Sequence, residues 1–216
     1  MNTDVAKTQM LLQQIRTWNV IDPDVLDAME SLSRADFVPA RYAEVAYADA
    51  EIPLAHGRKM MAPKIEGRIL QALALRHTDD VLEIGTGSAY LTACLARLAG
   101  TVVSVDRHQD VLDAARERLE AVGVTNVSLS RMDAPGELPA AQFDAIVVSG
   151  SMRRVDERLL EKLKPGGRLF VVIGDSAPME AMLLRRDRDG GWQETSLFET
   201  ALDPIDPNTN ESAFRF

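Results

Sequence analysis

A short glycine-containing turn has the residue types and spacing to bind a small molecule. It runs Glu83-Ile84-Gly85-Thr86-Gly87-Ser88-Ala89-Tyr90 and follows an apolar segment. Two glycines allow a tight turn and let a ligand approach the backbone closely where the next helix begins. A dinucleotide-binding turn has a third glycine where this chain has Tyr90, and a phosphate-binding loop ends in Gly-Lys-Ser/Thr, which does not follow here. The turn therefore favours a nucleoside-containing ligand that has no pyrophosphate.

Three carboxylates accompany this turn. Glu83 lies two residues before Gly85, and Asp106 follows 21 positions after that glycine, at the end of the next apolar segment. A carboxylate at that place can accept hydrogen bonds from both ribose hydroxyls. Asp133 ends a third segment, where an adenine amino group could be bound. Each carboxylate alone could instead be a backbone cap or a turn former, but together they suit S-adenosyl-L-methionine, with its zwitterionic end and cationic sulfonium. A nicotinamide dinucleotide is the alternative, and Tyr90 argues against it.

The elements that must position these residues follow a regular alternation. From residue 80 onward, continuous apolar strands alternate with amphipathic helices, which is typical of a parallel sheet buried on both faces. Segments 181–186 and 192–199 flank Asp189-Gly190-Gly191 and predict an antiparallel hairpin. We therefore predict the α/β class: a doubly wound, Rossmann-like, mostly parallel seven-stranded sheet with a C-terminal hairpin and an N-terminal helical extension. The predicted strands are 80–85, 101–106, 127–132, 143–149 and 168–173, and the helices between them are 90–98, 110–122 and 155–163, with a turn at 164–167.

The N-terminal third is organised differently. Apolar spacing predicts a helix over 4–18, and Asp22-Pro23 predicts the start of a second helix that continues to Leu32. Residues 33–63 are irregular, and a stretch of that length is often functional. A further helix is predicted over 64–76. We expect residues 1–63 to supply helices and a substrate or active-site loop, and residues 64–216 to form the cofactor-binding domain, within one continuous globular unit.

Composition excludes several classes of function. The chain has 216 residues and a net charge of −9, so nucleic acid is not an expected partner. Its single cysteine, Cys94, allows neither an internal disulfide nor a thiolate zinc site, and the three histidines are scattered along the sequence, so no metal is expected. No signal peptide and no apolar run of about 20 residues is present, so we expect a soluble cytoplasmic protein without a membrane partner. The tail from Asp203 to Phe216 is compatible with a last strand or with a partner-binding segment.

Several segments resemble the protein-L-isoaspartate O-methyltransferases, a family of class I methyltransferases. The resemblance runs in register from about residue 10 to residue 175, and its 46–63 part is specific to this family. The segments that carry it are Asp27-Ala28-Met29, Phe37-Val38-Pro39, Ala46-Tyr47-Ala48-Asp49, Ile52-Pro53-Leu54-Ala55-His56-Gly57, Ala62-Pro63, Glu83 to Ala93, Phe143-Asp144-Ala145-Ile146 and Leu163 to Leu169.

This resemblance implies a fold, a reaction and a cofactor. It implies an S-adenosyl-L-methionine-dependent O-methyltransferase that methylates the free carboxylate of an isoaspartyl residue in a damaged protein or peptide, the first step of protein repair, and releases S-adenosyl-L-homocysteine. A carboxylate is already a nucleophile at neutral pH, so catalysis would consist mainly of orientation and exclusion of water. The implied cofactor-binding residues are Ala62, Pro63, Glu83, Gly85, Thr86, Gly87, Ser88, Tyr90, Asp106, Arg107, Asp133 and Ala134.

The chain departs from the family pattern in the loop before residue 63. Met61 stands where the family has an active-site serine, and a thioether donates no hydrogen bond to a substrate carboxylate. Lys59 replaces a threonine, which leaves two alternatives open: a related methyltransferase with another acceptor, such as a small carboxylate or hydroxyl metabolite, or a cofactor-binding protein without catalysis. No catalytic residue is assigned, and His56 and Lys59 are the loop candidates.

Other departures concern charge and backbone. Lys64 stands where histidine is common; together with Arg58 and Lys59 it forms either a solvated basic loop or a site that attracts an anionic substrate. Ala89 replaces a glycine of the cofactor turn, which is a mild change if the backbone φ is negative there. His108 is expected at the surface, as is His77.

Overall fold

The computed structural model describes residues 3–134 and 136–205. Its helical and strand segments follow in chain order. They are α1 Thr3–Met10, which continues through a π-helical turn Leu11–Ile15 and a 3₁₀ turn Arg16–Trp18; α2 Pro23–Ser31; 3₁₀ turns Arg34–Phe37 and Ala40–Val45; β1 Ile52–Pro53; a 3₁₀ turn Ala55–Gly57; β2 Lys59–Met60; α3 Pro63–Leu73; β3 Asp80–Ile84; α4 Tyr90–Leu98; β4 Thr101–Asp106; α5 Gln109–Ala121; β5 Val127–Arg131; β6 Phe143–Met152; α6 Glu157–Glu161; β7 Leu163–Ile173; β8 Met179–Arg186; and β9 Trp192–Thr200.

Seven strands form one sheet in the order β5-β4-β3-β6-β7-β8-β9. The strands from β5 to β7 are parallel, and β8 and β9 are added antiparallel at the β7 edge. This confirms the predicted fold class. The chain moves outward from β3 through β4 to β5 and then returns to the other side of β3 at β6. Ligands of such sheets bind beyond the carboxyl ends of the strands at this switch point.

Both faces of the sheet are buried, which explains the continuous apolar strands. Along β6, Val147 belongs to one hydrophobic cluster, while Ile146 and Val148 belong to the cluster on the other face. Successive strand side chains point to opposite faces, so a strand covered on both sides needs apolar residues throughout. The cluster around Val147 also includes residues of α1, α2, α3 and α4. The predicted division of the chain at residue 63 stays a prediction.

The structure confirms both helices that the sequence predicts in the N-terminal third. The predicted helix over 4–18 is one helical run that changes pitch after Met10. The Asp22 side chain accepts a hydrogen bond from the Asp24 backbone N–H at 3.0 Å, so it caps α2 as predicted. Within the irregular stretch, β1 and β2 form a small hairpin in which Ile52 pairs with Met60. This hairpin brings the loop of the 52–61 segment to the carboxyl ends of the large sheet's strands.

Differences from the predicted elements lie near the end of the sheet. The predicted turn at 164–167 is a bulge inside β7, because Leu163 pairs with Phe143 and the next pair joins Arg168 to Ala145. The helix predicted over 155–163 is the shorter α6, and β6 runs three residues beyond its predicted end. Pro204 forms an isolated parallel bridge with Ser151, whereas residues 206–216 lie outside the described part, so the tail's role stays a prediction.

Within residues 3–134 and 136–205, no helix has the length and apolar character that a membrane span requires.

Candidate active site

A cleft of about 270 Å³ lies at the switch point of the sheet. The turn after β3, the junction of β4 with α5, the β1–β2 segment and residues 202–205 contribute to its wall. Among the sequence-predicted residues it is lined by Glu83, Gly85, Thr86, Gly87, Ser88, Asp106, Arg107, Ala134, His56, Lys59 and Met61.

The backbone of the turn after β3 adopts positive φ at three residues. Gly85 has φ +99° and Gly87 has φ +52°. A Cβ atom on Gly85 would lie 3.2 Å from the Ile205 side chain and 3.4 Å from that of Ser149, so only glycine leaves the turn unstrained and open. Ala89 has φ +67°, so the condition for a mild substitution is not met, and this alanine costs about 1–2 kcal/mol relative to glycine.

Glu83 is the most unusual polar group of the cleft. It is fully buried, and its Oε2 accepts hydrogen bonds from Thr92 Oγ1 at 2.5 Å and Ser104 Oγ at 2.6 Å. Its Oε1 has no partner among the described residues. Burial raises the pKa of this carboxyl to about 8, and the two hydroxyl donors oppose that shift. The structure therefore holds an acceptor at the cleft that a cationic donor would satisfy.

Asp106 ends β4 and is held by backbone donors. Its Oδ1 accepts from the His108 N–H at 3.1 Å, and its Oδ2 lies 3.3 Å from the Gly87 N–H. These contacts join the ends of β3 and β4. The carboxylate is thereby fixed beside the glycine turn, where the sequence predicts a ribose contact.

Four predicted cofactor residues are not among those that line the cleft: Ala62, Pro63, Tyr90 and Asp133. Tyr90 is fully buried; its ring packs edge-on against Phe37 and lies under the Arg34 guanidinium, 4.9 Å from the centroid. Asp133 is exposed and forms an ion pair with Arg107 at 2.6 Å. Contact of these four residues with a cofactor therefore stays a prediction.

Met61 also lines the cleft and is buried. Its carbonyl oxygen accepts a hydrogen bond from Arg34, which also forms a fully buried ion pair with Glu66 in the first turn of α3. Burial raises the pKa of Glu66 to about 7 despite the opposing charge of Arg34. The end of the loop is thus anchored from below by a charged pair inside the core.

The basic residues of the loop all bind other parts of the protein. Lys59 Nζ lies 2.8 Å from Glu51 and 3.7 Å from Asp203, and the Glu51 carboxylate raises the pKa of this lysine. Arg58 donates to the carbonyl oxygens of Pro204 and Ile205. Lys64 forms an ion pair with Asp49 at 2.8 Å and lies over the Trp18 ring. These side chains connect the loop to neighbouring segments of the protein. The sequence predicts either a solvated basic loop or a site for an anionic substrate, and neither prediction includes these contacts.

Sequence reasoning missed one cluster at the mouth of the cleft. His56 and His108 stack with ring centroids 3.7 Å apart, and His56 Nε2 lies 2.9 and 3.0 Å from the carboxylate oxygens of Asp110. His108 is half-buried, not a plain surface residue as expected. The sequence did contain a signal for this: His108 follows Asp106 by two residues, so it must lie near the end of the same strand.

Comparison with known proteins gives a consistent result. Residues 6–206 match the model of the family described as protein-L-isoaspartate(D-aspartate) O-methyltransferase. A protein-L-isoaspartate O-methyltransferase of Methylorubrum populi is 40% identical over 189 residues, which are 87% of this chain and 88% of that protein. A protein of the same name from Koribacter versatilis is 34% identical over 97% of this chain and 94% of its own length.

A solved structure from Plasmodium falciparum agrees in fold. It is described as a protein-L-isoaspartate O-methyltransferase in complex with S-adenosyl-L-homocysteine, and it aligns with a TM-score of 0.80 and 20% identity over 95% of this chain and 99% of that one. The family match extends beyond residue 175, where the sequence resemblance ended, and covers the cleft, the loop and the hairpin. This chain belongs to the protein-L-isoaspartate(D-aspartate) O-methyltransferase family.

Proposed function

We propose that the protein is an S-adenosyl-L-methionine-dependent O-methyltransferase that methylates the free carboxylate of isoaspartyl residues in damaged proteins or peptides. The observation that carries this proposal is the combination, in one cleft, of the open Gly85 turn, the Asp106 carboxylate and the unpartnered oxygen of Glu83. Family membership supports both the reaction and the acceptor, since the relatives carry the isoaspartate methyltransferase name.

The cleft residues fit this cofactor in three places. Glu83 Oε1 can accept a hydrogen bond from the amino group at the amino-acid end, and the charge of that group would favour the ionised carboxylate. Asp106 can accept hydrogen bonds from the ribose hydroxyls. Gly85 lets the ligand pass close to the backbone. When bound, S-adenosyl-L-methionine supplies an electrophilic methyl group on its sulfonium and leaves as S-adenosyl-L-homocysteine.

The protein's own part in the reaction is orientation and exclusion of water. An isoaspartyl carboxylate is ionised at neutral pH and needs no general base, so an arrangement without an obvious base is sufficient. Leu54, Met60 and Met61 supply apolar side chains to the cleft wall, and Leu54 lies close to Gly87 of the glycine turn. Such a wall excludes water from the transferring methyl group and strengthens electrostatic interactions inside the cleft.

A second acceptor class is favoured by one observation. Met61 occupies the family's serine position and is buried at the cleft, so this position offers a thioether and no hydroxyl donor. Lys59, which replaces the family threonine, is paired with Glu51. A methyltransferase that acts on a small carboxylate or hydroxyl metabolite, or a cofactor-binding protein without catalysis, would need no donor there.

The decisive experiment is transfer of radiolabelled methyl from S-adenosyl-L-methionine to an isoaspartyl peptide, with the aspartyl isomer as the matched control. Calorimetry with S-adenosyl-L-homocysteine on the same preparation measures the cofactor site separately. We expect transfer to the isoaspartyl form alone. Binding without transfer would contradict the isoaspartyl acceptor and support the second class. Binding of a nicotinamide dinucleotide, with no binding of S-adenosyl-L-homocysteine, would contradict the cofactor itself.

The proposed setting is the cytoplasm, with a damaged protein or peptide as the macromolecular partner and neither nucleic acid nor membrane required. A net charge of −9 gives no general attraction for nucleic-acid phosphates.

A further inference from the structure

Two of the chain's three histidines meet at the mouth of the cleft, although they are far apart in sequence. His56 belongs to the loop between β1 and β2, and His108 immediately precedes α5. Their rings are nearly parallel, at 4°, and Asp110 from the first turn of α5 completes the group. One nitrogen or oxygen atom from each of the three residues lies within 4.8 Å of the other two.

The backbone at His56 supports a specific role for this arrangement. Its φ is +55°, in the left-handed region that non-glycine residues rarely adopt. Such a conformation costs about 1–2 kcal/mol and persists where the surroundings hold it in place. The residue after it is Gly57, also at positive φ, so the tip of this loop is sharply folded toward α5.

We propose that His56, His108 and Asp110 form a binding site for a divalent transition-metal ion of the Zn²⁺ type, which joins the β1–β2 loop to the start of α5. Two ligand atoms that each lie about 2.1 Å from such an ion are about 3.0–3.4 Å apart. His56 Nε2 and the Asp110 oxygens, at 2.9–3.0 Å, already lie close to that range. The stacked His108 ring needs a side-chain rotation to aim a nitrogen at the same point, and this side chain borders the open cleft.

The donor set selects the class of ion. Two imidazoles and one carboxylate suit Zn²⁺, Co²⁺ or Ni²⁺, whereas Mg²⁺ and Ca²⁺ prefer oxygen ligands alone. An aspartate carboxylate is ionised at neutral pH, so Asp110 offers an anionic oxygen ligand. The cation next in sequence to His108 is Arg107, and its guanidinium is engaged with Asp133. Three protein ligands leave at least one coordination position open to water.

The position of the site predicts an effect on the cleft. His108 donates its backbone N–H to Asp106, and His56 and Asp110 also line the cleft. An ion at this point would hold the β1–β2 loop closed beside Asp106, the proposed ribose-binding carboxylate. This consequence rests on the proposed function, whereas the metal site itself does not. By thermodynamic linkage, the ion and S-adenosyl-L-homocysteine must then raise each other's affinity by the same factor.

The experiment uses the full chain without a histidine tag. Binding of Co²⁺ is followed by its visible absorption, and binding of Zn²⁺ by calorimetry and by displacement of Co²⁺. His56→Ala, His108→Ala and Asp110→Asn are compared with His77→Ala, which removes the one histidine outside the cluster. Thermal unfolding of each variant confirms that it is folded.

We expect one ion per chain and an affinity at least about tenfold lower in each of the three cluster variants, with His77→Ala unchanged. Absence of binding, several equivalent ions, or equal affinities in all four variants would overturn the metal site. Equal S-adenosyl-L-homocysteine affinities with and without Zn²⁺ would overturn the loop closure. Because metal binding is measured without cofactor, its failure leaves the methyltransferase proposal standing, and failure of methyl transfer does not alter the metal result.

Discussion

Two buried glutamates, Glu66 and Glu83, line the same cleft, and their polar groups are satisfied in different ways. Glu66, in the first turn of α3, has the counter-charge of Arg34 inside the protein. Glu83, at the end of β3, has two hydroxyl donors and an oxygen that remains without a partner in the described structure. Burial raises the pKa of both, to about 7 for Glu66 and about 8 for Glu83.

This difference suggests that Glu66 stabilises the fold, whereas Glu83 is available to bind a ligand. Around the loop that ends at Met61, the charged residues bind other groups of the protein. Arg34 donates to the Met61 carbonyl oxygen, and Lys59 forms an ion pair with Glu51. Beside the glycine turn, Glu83 keeps a costly hydrogen-bond acceptor without a partner in the described structure, which is understandable if a ligand completes it. Removing Arg34 should therefore lower the stability of the fold, whereas changing Glu83 or the glycine turn should weaken ligand binding.

The largest expected effect is the loss of Arg34. In Arg34→Met, Glu66 remains buried without its counter-charge, and we expect the free energy of unfolding at pH 7.5 to fall by about 3–5 kcal/mol in urea denaturation. About 1 kcal/mol of this loss should disappear toward pH 5, because Glu66, with a pKa of about 7, is neutral there and needs no counter-charge; the rest, which includes the lost donor to the Met61 carbonyl oxygen, should remain. Lys59→Ala, which breaks an exposed pair, is the control and should cost less than about 1 kcal/mol. A small loss that does not depend on pH would contradict the structural role of the buried pair.

The next effect is the pH dependence of cofactor binding. In the free protein Glu83 has a pKa near 8, so at pH 6 it is protonated and must release a proton to receive an ammonium group. The affinity for S-adenosyl-L-homocysteine should therefore rise with pH between 6 and 7.5, by up to about tenfold per unit. Calorimetry in buffers of different ionisation enthalpy measures both the affinity and the released proton.

Glu83→Gln is the matched variant for this measurement, since its amide oxygen can still accept from Thr92 and Ser104. It has no proton to release, and its affinity should stay flat over the same pH range. A rise with pH as steep as in the wild type would show that another group carries the dependence.

A smaller effect is expected at the glycine turn. Gly85→Ala places a methyl group 3.2 Å from Ile205 at a residue with φ +99°, and should weaken S-adenosyl-L-homocysteine binding by about tenfold or more. Gly123→Ala is the control, because Gly123 has φ +69° and no neighbouring atom within 4 Å of the added carbon in the described structure. It should share the loss of stability without the loss of affinity. Equal affinities in both variants would place the cofactor elsewhere.

The smallest expected effect concerns the acceptor side. Met61→Ser places a hydroxyl where the sequence resemblance predicts a serine, and one added hydrogen bond to the substrate should raise methylation of an isoaspartyl peptide severalfold, with cofactor affinity unchanged. Met60→Ser adds the same hydroxyl one residue earlier and should give no gain. A gain in both variants, or in neither, would contradict the assignment of residue 61 as the acceptor-side position.

The sequence by itself determined the fold class, the strand alternation and the glycine turn. These features depend on local patterns: continuous apolar strands for a sheet buried on both faces, Asp22-Pro23 for the start of α2, and two glycines where the backbone needs positive φ. The family also followed from local segments. The structure has a bulge in β7 where a turn was predicted, and α6 is shorter than the predicted helix over 155–163. These bounds differ because strand pairing and packing against neighbours, not local propensity, decide where such elements end.

Only the tertiary structure decided how the site residues are used. The buried Arg34–Glu66 pair, the hydroxyl donors of Glu83 and the cluster of His56 with His108 and Asp110 join elements that are distant along the chain, so no local pattern encodes them. Burial likewise separates Tyr90, which packs in the core, from its neighbours in the same turn that line the cleft. The physical reason is that desolvation, ion pairing and pKa depend on which groups meet in three dimensions, and chain folding alone brings them together.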